Sequence, residues 1–166
     1  MKKLIILLVF AICFLFFGCF GNWGNNNNDN PTPQYNPVII DRTTFENSVK
    51  TMTNQNVLTS GKIYIKDNLM FVNDVNKGFH VFNYFNADNP VKIGFIQALG
   101  CTDLAIRNNV FYINQATDLL TLSYNPANNS IIILSRNKNV FPQKIAPNGE
   151  TETVTNNQII INWIKI

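Results

Sequence analysis

The chain has 166 residues, with 13 Lys and Arg against 10 Asp and Glu and a formal charge of +3. That length allows one domain rather than two. With Lys2 and Lys3 set aside the balance is close to neutral, which leaves no electrostatic footprint for a nucleic-acid partner. The one histidine and three cysteines stand without a CxxC or a second histidine nearby, so neither a metal site nor a cofactor is expected.

Met1-Lys2-Lys3 opens the chain with positive charge, and Leu4 to Phe17 follows as an unbroken apolar run of 14 residues. This suits a secretory signal and falls short of the roughly 20 residues a spanning helix needs. The run ends Leu15-Phe16-Phe17-Gly18-Cys19. This resembles the lipobox of bacterial lipoproteins, in which a small residue precedes a cysteine that is acylated and becomes the new N-terminus. Phe16 and Phe17 are bulkier than is usual there, while Gly18 and Cys19 match. The reading is therefore a signal peptide over 1–18, cleavage between Gly18 and Cys19, and lipidation of Cys19. An uncleaved short anchor and an ordinary secreted protein compete with it, but no A-x-A-like cleavage site follows the run. Cys13 would leave with the signal, and Cys101 would then have no partner for an intramolecular disulfide.

Residues 19–37 are rich in Gly, Asn and Pro, with too few apolar groups to offset the entropy of ordering them. They read as a tether, with Trp23 placed to favour a membrane interface. The body is expected over 38–166. Aromatic and β-branched residues are plentiful there and alanine is scarce, which favours sheet. Thr43 and Glu46 have the spacing of a capping box and predict one short helix.

Self-comparison then exposes a repeat. Ile65-Lys66-Asp67-Asn68-Leu69-Met70-Phe71-Val72-Asn73 aligns with Ile106-Arg107-Asn108-Asn109-Val110-Phe111-Tyr112-Ile113-Asn114 at an offset of 41 residues. One residue drops out of the next turn, and Phe79 to Tyr84 aligns with Leu119 to Tyr124 at an offset of 40. Asp67-Asn68 and Asn108-Asn109 are two-residue hairpin turns tolerant of positive φ. A period near forty with about four short strands is the size of one propeller blade. The expected units are about 61–99 and 102–136, with a C-terminal strand over 158–166. That strand is apolar on both alternating faces, so it should pair within the body and pack Trp163 into the core.

The segments GKIYIKDNLMFVNDVNKGFHVFN, ADNPVKIGFI, TDLAIRNNVFYINQATDLLTL and NVFPQ resemble the LVIVD-repeat lipoproteins of Bacteroidota. The resemblance covers most of the mature chain and implies an all-β, propeller-like envelope protein without an established reaction. It departs in length, since two units are visible where closed propellers use about four to eight.

Several residues qualify as candidate sites. Asp74-Val75-Asn76-Lys77-Gly78 has alternating oxygen groups, but its glycine comes one place early for a calcium loop and no bidentate Glu follows. A turn with Gly78 at an unusual φ is preferred. His80 reads as a hydrogen-bonded, partly buried histidine more than a catalytic base, because no nucleophile has a recognisable context. Asp103 and Asp118 read as turn-capping residues rather than an acid–base pair. Tyr84, Phe85, Tyr112 and Tyr124 could stack sugars, although packing is the preferred account.

The expected fold is all-β: two blade-like antiparallel sheets and one short N-terminal helix, after a signal peptide and a disordered tether. The expected function is a membrane-anchored envelope lipoprotein acting as a non-catalytic binding or scaffolding module for an envelope protein or glycan. The alternative is a small glycan-processing or other hydrolase on the same scaffold. Surface lipoproteins of the resembled group carry acidic residues soon after the lipidated cysteine. Phe20 to Asn28 has none, which places the expected location on the periplasmic side of the outer membrane.

Overall fold

The computed structural model describes residues 34–166; the signal peptide, cleavage between Gly18 and Cys19, lipidation of Cys19 and the tether as far as residue 33, Trp23 included, lie outside the described residues. The first strand, β1 (Tyr35–Asp41), begins inside the stretch read as tether. It pairs antiparallel with the C-terminal strand β11 (Gln158–Lys165), Ile40 opposite Ile159 and Pro37 opposite Trp163.

Helix α1 (Arg42–Asn47) follows β1 directly. Its cap is Asp41 rather than the expected Thr43: the Asp41 carboxylate accepts the Thr44 N–H at 2.8 Å and the Thr44 hydroxyl as well. The helix is only six residues long. It is held by tertiary packing of Phe45, which is fully buried, more than by propensity.

The middle of the chain forms two antiparallel meanders. The first joins β3 (Ser60–Lys66), β4 (Leu69–Asp74), β5 (Gly78–Asn83) and β6 (Val91–Gln97), with β2 (Lys50–Met52) added on the far edge of β6. The second joins β7 (Cys101–Arg107), β8 (Val110–Gln115), β9 (Asp118–Asn125) and β10 (Ser130–Asn137). The three sheets are open, and the protein is mostly β.

The turn chemistry follows from the sequence. Asn108 and Asn109 both take left-handed conformations, with φ of 49° and 63°, and Asp67 does so at 54°. These are the conformations that tight hairpins need for a right-handed strand twist. The residue lost from the repeat is lost from the next turn: Val75-Asn76-Lys77 links β4 to β5, whereas Ala116-Thr117 alone links β8 to β9. Gly78 does not supply an unusual φ; Asn76, at 62°, does. Glycine is needed at 78 for space, since a Cβ there would lie 2.6 Å from the Phe95 ring and 2.2 Å from the Ile96 carbonyl oxygen.

The main core lies between the meanders. Phe71, Phe79, Val81 and Ile96 of the first sheet meet Leu104, Phe111, Ile113, Leu120 and Leu122 of the second. A smaller cluster of Phe45, Ala116, Ile159 and Ile161, with Val38, Ile40 and Leu99 against it, packs β1, β11 and α1 onto the turns at one end of both meanders. The C-terminal strand therefore contributes to the body, but Trp163 is not a core residue. It is half-buried, and its indole N–H donates to the Lys144 carbonyl at 3.1 Å.

Candidate functional site

The two ends of the paired meanders differ. One is covered by the β1–β11 pair and α1. At the other, the hairpin turns Asp67-Asn68 and Asn108-Asn109 and the loops after β5 and β9 leave a groove of about 620 Å³. Its floor is aromatic: Phe71 meets Phe111 edge to face at 5.1 Å, and Tyr124 completes the set at 6.2 Å from Phe71 and 6.3 Å from Phe111. Offset perpendicular rings are the favoured arrangement for such clusters. Leu69, Ile93 and Ile106 extend the apolar lining, while Lys66, Asp67, Asn68, Asn83 and Asn109 form a polar rim.

Phe85 stands on that rim, 80% exposed. Its position is set locally, because the Asn83 side chain accepts the Phe85 N–H at 3.0 Å and closes an Asx turn. The second meander repeats the device, with Asn125 accepting the Ala127 N–H at 3.0 Å. Asn129, at φ 49°, then stitches the sheets together. Its amide oxygen accepts the Tyr124 hydroxyl at 3.2 Å, and its NH₂ donates to the Met52 carbonyl at 3.0 Å. Gly94 makes room for it, since a Cβ at 94 would sit 2.4 Å from the Asn129 oxygen. Of the four aromatics singled out in the sequence, Phe85 and Tyr124 line the groove and Tyr112 lies on the opposite face of its sheet. Tyr84 is half-buried in the loop after β5, outside the lining.

The candidate acid–base residues are not in the groove. Asp118 is fully buried at the covered end, where it accepts from Arg42 at 2.6 Å, from Arg136 at 3.0 Å and from the Asn139 N–H at 3.1 Å. Burial alone would raise its pKa, but these donors outweigh it and hold the carboxyl below the usual carboxylate range. The two guanidinium groups also lie 5.5 and 5.2 Å from the centre of the Phe45 ring. Asp103 pairs instead with Lys62 at 2.7 Å and with the Tyr64 hydroxyl across the two sheets. The Tyr64 phenol is pushed up to about 12 by burial and by that carboxylate. Asp103 and Asp118 thus belong to separate clusters, each structural.

The Asp74 to Gly78 loop has its oxygens engaged. Asp74 accepts the Leu58 and Thr59 N–H groups, each at 3.0 Å, and lies 3.2 Å from His80 Nε2. Asn76 donates to Asn162 and accepts from Lys144 at 2.8 Å. His80 is completely buried against Phe95, deeper than its sequence suggested, and burial lowers its pKa despite the Asp74 carboxylate. Cys101 is buried, its thiol pushed up to about 12 by desolvation. Among the described residues no cluster of three His, Cys, Asp or Glu stands together. Phe71, Phe111 and Tyr124 are buried, so the aromatic surface that the groove offers a neutral ligand is chiefly the Phe85 ring, with the asparagine side chains of the rim around it. No family model, curated protein or solved structure matches the chain.

Proposed function

We propose that this chain is a lipid-anchored envelope lipoprotein of the LVIVD-repeat kind, whose two meanders are propeller-type blades and whose role is non-catalytic binding. The observation that carries the binding role is the groove: a rigid aromatic floor with one ring, Phe85, held out to solvent by its own Asx turn. The turn fixes the Phe85 backbone, so only the torsions of the ring remain to be ordered when a ligand covers it. A neutral envelope glycan fits this lining better than a charged ligand does, since Lys66 and Asp67, the charged residues of the lining, pair with each other at 2.6 Å. The same reading places the chain on the periplasmic side of the outer membrane, held by acyl chains on Cys19. Each buried methylene contributes about 0.8 kcal/mol, so two or three chains anchor it firmly.

Two measurements test the proposal. Detergent-solubilised full-length protein is titrated with neutral oligosaccharides released from the envelope, followed by calorimetry. Binding that Phe85→Ala removes supports the groove, and binding unchanged by that substitution overturns it. Metabolic labelling with a fatty-acid probe tests the anchor: label must disappear in Cys19→Ala, and label that persists refutes lipidation at Cys19.

A further inference from the structure

The two meanders are not packed through equivalent faces. Phe71 of the first points into the core, while its counterpart 41 residues on, Tyr112, lies on the outer face of the second and is 37% exposed. Conversely, Phe111 points into the core, while its counterpart Met70 lies on the outer face of the first, in register with Ile65 and Phe82. The inter-sheet contact is therefore head-to-tail. Contacts of this type leave one face of each kind unmatched, and they close into a ring only when a rotation returns to its start.

The unmatched face of the first meander keeps the chemistry of a docking face. Ile63, Ile65, Met70, Val72 and Phe82 correspond to Leu104, Ile106, Phe111, Ile113 and Leu122, which pack against the neighbouring sheet. Residues 53–59 cover the part near Asp74 and Lys92, through the Asp74 hydrogen bonds and the Lys92 ammonium on the Gln55 carbonyl at 2.7 Å. The rest is open, with Ile63 60% and Ile65 58% exposed beside Val57 and Leu58. Leu104, the counterpart of Ile63, is only 5% exposed.

We propose that this face binds the outer face of the second meander of another copy of the chain, so that two copies form a closed ring of four sheets. Four is the smallest number that propeller-like rings use. Charge supports the same pairing. Lys62 and Asp103 occupy equivalent positions, 41 residues apart, and form the ion pair between the sheets within one chain. Repeating the head-to-tail step places Asp103 of one copy toward Lys62 of the second, so the alternation of sign continues around the ring. Tyr112 of one copy would then lie against Met70 of the other, as Phe71 lies against Phe111. This inference is independent of the groove and of the lipid.

The test uses full-length protein in detergent. Sedimentation is expected to give a protein mass of two copies, and Ile65→Asp to give one copy with an unchanged circular dichroism spectrum and a melting temperature that no longer depends on protein concentration. Two differently tagged copies, one Met70→Cys and one Tyr112→Cys, are then mixed and treated with a short bismaleimide. Cross-linking between the two tags supports the head-to-tail ring. A monomeric parent, or cross-links confined to copies bearing the same tag, overturns it.

Discussion

The covered and open ends of the meanders solve opposite problems with similar residues. At the covered end, buried polar groups are largely paired, Asp118 with two arginines and a backbone N–H and Asn76 with Lys144 and Asn162, while Arg136 Nη2 and Gln115 Oε1 have no hydrogen-bond partner. At the open end the polar side chains form the rim, their hydrogen bonds fold loops, and the Phe85 ring is left facing solvent. A buried polar network is costly when partly satisfied and rigid when complete. The packing between the meanders and the paired groups of the covered end carry the stability of the body, and the rim of the open end is free to carry recognition. Substitutions at the two ends should separate these properties.

The largest expected effect is at Asp118. Asp118→Ala leaves Arg42 and Arg136, 13% and 11% exposed, without their shared carboxylate. Removing one partner of such a buried pair costs about 3–5 kcal/mol, and the Asn139 backbone N–H loses its carboxylate acceptor too. Urea unfolding should show a loss of that order with ligand binding at the groove retained by the folded fraction. A loss below about 1 kcal/mol, the range of exposed pairs, would show that the covered end does not depend on this network.

The second effect is a pH dependence with two separate limbs. Asp74 and Asp118 both lie below the usual carboxylate range. Their contribution is complete above about pH 4 and is lost as pH falls through their folded values. For His80 burial lowers the folded pKa, so the unfolded chain takes up a proton first and stability declines as pH drops below about 6.5. His80→Leu, which installs the residue found at the equivalent Leu120, should remove the upper limb and leave the acid limb. Urea midpoints at pH 7.5 and 5.5 decide it. An equal drop in the variant would assign the upper limb to another group.

The difference between the ends also explains what the sequence disclosed. The β class, the repeat and the tight turns were legible because period-two alternation and Asn-Asn or Asp-Asn pairs act locally. The Asp41 cap and the pairing of Tyr35–Asp41 with the C-terminal strand were not. The cap is local, its carboxylate on Thr44, but the Thr43–Glu46 spacing competes with it; the strand pairing depends on partners far along the chain, such as Asn157, whose carbonyl accepts the Arg42 N–H. For the groove, Phe85 and Tyr124 stood out as aromatics, but nothing local showed that Phe71 and Phe111 would converge beneath them from opposite faces of two repeats. Asparagines hold the left-handed turn positions 76, 108, 109, 129 and 139.

A smaller effect is expected where the sheets meet at the surface. The Lys62–Asp103 pair has side chains 64% and 49% exposed. Lys62→Met should therefore cost no more than about 1 kcal/mol within one chain. The Tyr64 hydroxyl still holds Asp103 after the substitution. A loss of several kcal/mol at low protein concentration would mean that this pair belongs with the buried networks.

The smallest change in stability is expected at Phe85, and it gives the sharpest contrast. Phe85 is 80% exposed, whereas Phe45 at the covered end is fully buried under two guanidinium groups. Truncating a buried phenylalanine costs about 3–5 kcal/mol, while a surface change away from special contacts stays within about 0.5 kcal/mol. Phe45→Ala should lower the unfolding midpoint steeply and leave groove affinity intact in the molecules that remain folded. Phe85→Ala should do the reverse, because the Asx turn that presents residue 85 uses the backbone N–H and survives loss of the ring. If Phe85→Ala destabilised the body as much as Phe45→Ala, the ring would be packing in solution rather than waiting for a ligand, and the division between the two ends would fail.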